Sequence, residues 1–292
     1  MEKYELYTDE LVESVVFHDA PDSCKRNCPG CYLKPHQDRI QLASLKEELI
    51  LEAWRDIQRG DSINANQIVY AANTAKNLKK FHGESIVGCE KKLQFLATGP
   101  IWGEVLPDYG YLIPYVCKNM SLDDYKVNVD KVWTWMGNAR EANFDVINLL
   151  WTPGVAKEMQ GKLWIEGEPT LYLSMHKPIH GEEPAHWQVK MVKSMIDFYS
   201  YNTELLSHSP KNVQLDYCVG HLTSGEDEGC RAGINMFNIH ADGAITGCPY
   251  SVKPKTYLQD HKNIGDAIRH VRQLANSGES YDWDSCKLRG IL

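Results

Sequence analysis

Three cysteines, Cys24, Cys28 and Cys31, fall within one short stretch, Cys-Lys-Arg-Asn-Cys-Pro-Gly-Cys-Tyr. Thiolates are soft ligands, suited to iron–sulfur clusters and to zinc. A four-iron cubane gripped by three local thiolates keeps one iron without a protein ligand, and an open metal position can bind a small chelating molecule. A structural zinc knot would want a fourth ligand nearby, and no second pair lies close in sequence. The remaining alternative is a set of incidental thiols. The spacing favours the cubane.

Hydrophobic periodicity supplies the elements that must hold this cluster. Runs rich in β-formers predict strands at 14–18, 67–71, 93–97, 145–150, 170–175 and 213–217. Between them, amphipathic stretches predict helices over 44–59, 74–80, 122–142 and 186–201. Ser44 and Glu47 have the spacing of a capping box, and Gly60 reads as a stop. Strands alternating with helices imply an α/β fold whose parallel sheet curls into a partial (β/α)6 barrel. Such folds carry their chemistry at the C-terminal ends of the strands, and the three cysteines follow the first strand directly. From about residue 218 turns and glycines become frequent, with a hairpin expected over 236–246 and a helix over 264–275. The reading is therefore a barrel domain at 1–217 and a small C-terminal Fe–S-binding module at 218–292.

Composition narrows the setting. The chain has 292 residues, 43% hydrophobic and 24% charged, as expected of a soluble globular protein, and nine cysteines. The start of the chain has no apolar signal segment and no run is long enough to span a bilayer, so a cytoplasmic protein without membrane contact is expected. In a reducing compartment, clustered cysteines more often bind metal or do redox chemistry than form disulfides. The net charge of −8 gives no overall basic field for nucleic acid. Lys253, Lys255, Lys262, Arg269 and Arg272 are the residues that would make a local basic strip.

The CxxxCxxC motif and the β–α series over residues 11–217 resemble the radical S-adenosylmethionine (SAM) superfamily. The resemblance implies a [4Fe-4S] cluster on Cys24, Cys28 and Cys31, with SAM bound at the open iron. It implies reductive cleavage of SAM and abstraction of a substrate hydrogen by a 5′-deoxyadenosyl radical, with an electron donor such as flavodoxin or ferredoxin. The chain departs from the family twice. Gly30 stands where an aromatic residue often precedes the third cysteine, leaving Tyr32 as the candidate adenine contact. Ala72-Asn73-Thr74 occupies the slot of the Gly-Gly-Glu motif that recognises the SAM amino group, which makes Asn73 a candidate there. Thr98-Gly99 resembles a turn common after the third strand, and Asn148 and Ser174 are candidate polar contacts to SAM on the following strands. Each of these four also fits an ordinary strand or loop polar position.

A second set follows. Cys230 and Cys248 flank Gly243 in the pattern Cys-x12-Gly-x4-Cys, which resembles the core element of SPASM and Twitch modules. With Cys218 upstream and Cys286 downstream, that resemblance implies one auxiliary [4Fe-4S] cluster with four thiolates. The other readings are a zinc site or buried thiols. Cys89 and Cys117 read as small buried residues. His176, His180 and His186 lack a tight ligand spacing, and Trp133, Trp135 and Trp151 read as core or pocket wall.

No residue identifies itself as catalytic beyond the cofactor ligands, and the substrate stays open: a peptide, a nucleoside or nucleotide, or another small molecule. The resemblance admits an isomerase of the kind that acts on hypermodified nucleotides in phage DNA, with nucleic acid then a partner that the net charge does not support. It also admits a glycyl-radical enzyme activase, through the Cys-Pro-Gly-Cys-Tyr run. Strand one begins too early for a preceding leader-peptide-binding domain, which weakens the peptide reading. A non-catalytic metal scaffold is the reading from a different class. The bond made, whether an isomerase, oxidoreductase or cross-linking step, is not legible.

Overall fold

The computed structural model describes residues 11–20, 36–37, 39–40, 46–89, 91–97, 111–112, 146–150, 170–174, 177, 183–184, 186, 189–190, 192–197, 213–215, 218, 232–277 and 286. They fall into two compact units, one made from residues up to Phe95 and from 232 through 286, the other from residues 96–218.

The first unit is built on β1 (Leu11–His18) and β2 (Asn64–Ala72), paired in parallel from Leu11↔Asn64 to His18↔Ala71. The chain crosses between them by α1 (Glu47–Arg59). Its buried stripe Ile50, Leu51, Trp54 and Ile57 recurs at helical spacing, with Glu47 and Glu48 at the positive end of the helix dipole and Arg59 at the negative end. Gly60 ends it at φ 72°, a left-handed conformation that suits glycine, and its N–H donates to Asp56 O at 2.9 Å. Ser44 of the expected capping box lies outside the described residues. The N-cap is Lys46, whose donor-only side chain makes no cap bond, and its backbone N–H donates to Ala241 O at 3.1 Å. Glu47 pairs with Lys80 of α2 (Ala75–Gly83).

Trp54 is fully buried and meets Phe17, Tyr70 and Phe81 edge-on at 5.3, 6.2 and 5.6 Å, while Tyr70 stacks on Phe81 at 3.8 Å. Aromatic pairs of this kind are worth about 0.5–1.5 kcal/mol each beyond their buried area. This cluster fastens α1 and α2 to one face of the strands.

The other edge of β1 is taken by β8 (Met236–Ile239), again in parallel, from Ser14↔Met236 to Phe17↔Ile239. β8 turns through Gly243, at φ 84°, into antiparallel β9 (Ala244–Thr246), and β9 pairs with β10 (Thr256–Tyr257). The hairpin expected over 236–246 is thus present and adds its first strand to the sheet of β1. Helix α3 (Ile264–Asn276) follows, capped by Asn263 Oδ1, which accepts from Asp266 N–H at 2.8 Å. Ile264, Ala267, Ile268 and Val271 are its buried face. Arg272 is buried too, donating to Ile234 O at 2.8 Å with its guanidinium over the Phe237 ring. It therefore does not belong to a basic strip, and Arg269 is paired with Asp266.

In the second unit the last residues of β3 (Lys92–Ala97) pair with β4 (Tyr111–Leu112), β4 with β5 (Val146–Leu150), β5 with β6 (Thr170–Ser174) and β6 with β7 (Val213–Leu215), all in parallel. Each of the six expected strands is present. The two-residue β4 is additional: it is too short for any alternation to register, and only its neighbours define it. Residues 192–197 are helical with Val192 and Met195 buried, in line with the helix expected at 186–201; the helix expected at 122–142 lies outside the described residues. The fold is α/β.

Candidate functional site

Parallel pairing in register brings the exits of β1 and β2 side by side, where an open α/β sheet places its binding residues. Asp19 and Ala20 leave β1, and Asn73 and Thr74 leave β2 into α2. Asp19 is 5% exposed and accepts three hydrogen bonds across this junction: from Ala20 N at 2.8 Å, Asn73 N at 2.9 Å and Asn77 Nδ2 at 2.7 Å. Asp19 N donates to Ala71 O at 3.0 Å, and Asn73 Nδ2 returns a bond to Ala20 O at 3.2 Å. Thr74 caps α2, its hydroxyl accepting from Asn77 N at 3.2 Å. Burial raises the Asp19 carboxyl above its ordinary range, against the opposing pull of these donors. Tyr70 is pushed well above the usual phenol range, first by burial and then by the negative charges of Asp19 and Glu47. A cleft of about 160 Å³ opens here, lined among others by His18, Asp19, Tyr70, Lys76 and Asn77.

Three histidines meet: His18 at the end of β1, His240 just after β8, and His36. His240 stacks on His18 at 5.2 Å and lies 4.2 Å from His36. His18 Nε2 donates to Asn238 Oδ1 at 2.8 Å, and Asn238 Nδ2 donates to Gly247 O at 2.7 Å. His36 Nε2 donates to Pro249 O at 3.0 Å, so its Nδ1 is the acceptor for Arg39 Nη1 at 3.0 Å. Those bonds fix a neutral ring. His240 Nε2 is hydrogen-bonded to Thr246 Oγ1 at 3.1 Å, and its buried Nδ1 has no hydrogen-bond partner. Burial lowers His18 and His36 from 6.5 to about 4, with each other's proximity or the Arg39 charge adding to it. The same cause holds His240 well below its ordinary value, with His36 and His18 reinforcing it. Arg39 completes the cluster. Its Nε donates to Asp242 Oδ2 at 2.7 Å and its Nη1 to Val252 O at 3.2 Å, and the Asp242 side chain is fully buried.

Of the sequence candidates, Cys24, Cys28, Cys31, Tyr32, Thr98, Gly99, Cys117 and Cys230 lie outside the described residues. Asn73 is 2% exposed and donates to Ala20 O at the exit of β1. Asn148 and Ser174 sit on neighbouring strands, aligned with Tyr172 and Leu150. Cys218, Cys248 and Cys286 are half-buried. Among the described residues no group of three or more His, Cys, Asp or Glu is arranged to hold a metal ion. Cys89 is half-buried with its thiol donating to Gln58 O at 3.5 Å. His186 is exposed and takes no part in the histidine cluster. Among the described residues no helix is long and apolar enough to cross a membrane.

Sequence reasoning missed Asp19 and the trio His18, His36 and His240. The available signal was polar residues at the ends of apolar strands: His18-Asp19 closes β1 after Val-Val-Phe, and His240 and Asp242 interrupt the apolar hairpin. Such residues persist at strand exits only if hydrogen-bonded or functional.

No family model matches the chain, and no curated protein sequence does. Among solved structures it is similar to Streptococcus suis SuiB, whose structure is of the protein bound to precursor peptide SuiA. That match has a TM-score of 0.58 at 16% identity and covers 97% of this chain and 71% of SuiB. BtrN in complex with AdoMet and 2-DOIA also matches, over 94% of this chain and 92% of that one at 12% identity, but its TM-score of 0.30 carries no argument. The likeness to SuiB shows a shared fold.

Proposed function

We propose that this protein is a radical SAM enzyme, using a [4Fe-4S] cluster on Cys24, Cys28 and Cys31 to cleave SAM reductively and start hydrogen abstraction from a substrate. The observation that carries the reading is the CxxxCxxC loop leaving β1, in a parallel α/β arrangement shared with SuiB. The donor chemistry fits, since three soft thiolates suit an iron cubane and leave one corner for the SAM amino and carboxylate groups. When bound, the cluster and SAM supply a 5′-deoxyadenosyl radical. The chain's part is to fix the root of the loop at Asp19–Ala20, to hold the Asn73–Thr74 turn beside it, and to keep water away from the reacting carbon. Closure of the strands into a partial (β/α)6 barrel belongs to the same proposal. So do Tyr32, Asn73, Thr98, Gly99, Asn148 and Ser174 as SAM contacts, and reduction by flavodoxin or ferredoxin in the cytoplasm.

For substrate we favour a peptide, because SuiB is bound to a precursor peptide and its likeness spans nearly the whole of this chain. Cys218, Cys230, Cys248 and Cys286 are the ligands proposed for an auxiliary [4Fe-4S] cluster, within a module at 218–292.

The test is anaerobic reconstitution followed by reduction with SAM present. The expected result is 5′-deoxyadenosine formation, with about seven to eight irons per chain if both clusters form and about four if only the first does. Cys24→Ala, Cys28→Ala and Cys31→Ala should each abolish SAM cleavage while sparing auxiliary iron. Zinc in place of iron, or intact SAM under a strong reductant, would favour the metal scaffold and overturn the reading.

A further inference from the structure

We propose that Asp19 is a positioning residue that locks the exit of β1 to the turn after β2 and so supports SAM binding there. The inference rests on the radical SAM reading above and adds to it a residue outside the cysteine motif. Three observations carry it. First, Asp19 and Ala20 immediately precede in sequence the segment that holds Cys24, Cys28 and Cys31. Second, the carboxylate divides its acceptors between the two strand exits. Oδ1 takes Ala20 N at 2.8 Å and Asn77 Nδ2 at 2.7 Å, and Oδ2 takes Asn73 N at 2.9 Å. Third, the stitch is reciprocal, because Asn73 Nδ2 donates back to Ala20 O at 3.2 Å and Asp19 N to Ala71 O at 3.0 Å.

A carboxylate costs desolvation when buried, and burial raises this one. A neutral residue would serve equally if the position only needed filling. Donors arriving from both sides at two separate oxygens explain why an acceptor-only group sits there. An asparagine presents one oxygen and one NH2, so one set of donors would face another donor and the two exits would separate. The turn at Ala72-Asn73-Thr74 lacks a carboxylate of its own, and the acid one strand away keeps it in place.

The experiment compares the anaerobically reconstituted parent with Asp19→Asn and Asn77→Ala. It reads iron per chain, the change in the EPR spectrum of the reduced cluster on adding SAM, and KM and kcat for 5′-deoxyadenosine formation. Asp19→Asn should keep its first-cluster iron but need about tenfold to a hundredfold more SAM to produce the spectral change, the range seen when an outer-shell partner of a metal site is lost. KM for SAM should rise with it more than kcat falls. Asn77→Ala, which removes one donor of three, should shift the SAM response in the same direction by less. A residue that only stabilised the fold would lower the yield of folded protein without moving the SAM dependence of the spectrum in what remains. Parent-like SAM dependence in Asp19→Asn overturns the inference. If Asp19→Asn does not fold, parent-like dependence in Asn77→Ala overturns it. A parent that never cleaves SAM overturns the underlying reading instead, so the two failures are distinguishable.

Discussion

His240→Gln should make the protein measurably less sensitive to mild acid. The parent ring is fully buried between His18 and His36, with one nitrogen on Thr246 and the other without a partner. A proton on it would place a charge beside two other rings and near Arg39, so the folded form stays neutral well below the ordinary value. In the unfolded chain the same histidine titrates near 6.5. Below that pH the unfolded state binds a proton that the folded state refuses, so stability falls as pH falls. From pH 7.5 to 5.5 one such ring costs about 1.3 kcal/mol, by integrating a difference of one proton at about 1.36 kcal/mol per pH unit. His18 and His36, at about 4, behave the same way over the window from 6.5 to 4, so the trio together costs about 4 kcal/mol between pH 7.5 and 5.5. Glutamine keeps a polar partner for Thr246 and cannot titrate. Urea unfolding followed by tryptophan fluorescence at pH 7.5, 6.5 and 5.5, under anaerobic conditions, gives the slope for each protein. The variant should recover about 1.3 kcal/mol of the parent's loss over that interval, whatever its stability at pH 7.5. Parallel slopes in parent and variant would refute the argument, because they would mean that His240 is protonated in the folded protein or never buried.

Two further outcomes follow from packing. Arg39→Leu leaves the fully buried Asp242 carboxylate, among the described residues, with the Ala244 N–H at 3.2 Å, and should cost about 3–5 kcal/mol in urea unfolding, partly restored by Asp242→Asn in the same chain. Gly265→Ala should lower the thermal midpoint, because its Cβ would press into the Ser62 backbone, with the carbonyl carbon 2.7 Å away, at a cost of about 1–3 kcal/mol.

Regular elements with strong periodicity were legible in the sequence. The stripe of α1 and the β-branched runs of β1 and β2 encode their own burial, and Gly60 marks the helix end because its left-handed backbone penalises any side chain. The start of that helix at Lys46 was less so, since the Lys46 N–H is bonded to Ala241, nearly two hundred residues away, and no local pattern reports that. The same holds for Arg272. Sequence places it among surface cations, while the fold supplies a carbonyl and an aromatic face that let it be buried. The parallel pairing of β8 with β1 is another long-range fact: the hairpin's alternation says that it is a strand and nothing about whose neighbour it is. Of the candidate site, the cysteines read from spacing lie outside the described residues, and the polar groups around them in sequence were not legible as a site. Asp19 and the histidines act through partners brought together only by the sheet.

Hydrogen-bonded residues lie on both flanks of the cysteine segment in sequence. On the entry side, Ala20 is bonded to the carboxylate of Asp19 and the amide of Asn73. On the exit side, His36 and Arg39 are bonded to Pro249, Val252 and Asp242 of the C-terminal segment. The entropy cost of closing a chain segment grows with the logarithm of its length, and bonds at both of its ends offset part of that cost. The exit bonds also run to the residue next to Cys248, and His18 reaches Gly247 on its other side through Asn238. A change in the chain around Cys248 therefore has a direct hydrogen-bonded route to both flanks of the first cysteine set. The hairpin itself is held against β1 by the parallel β1–β8 ladder and by buried Phe237 and Ile239.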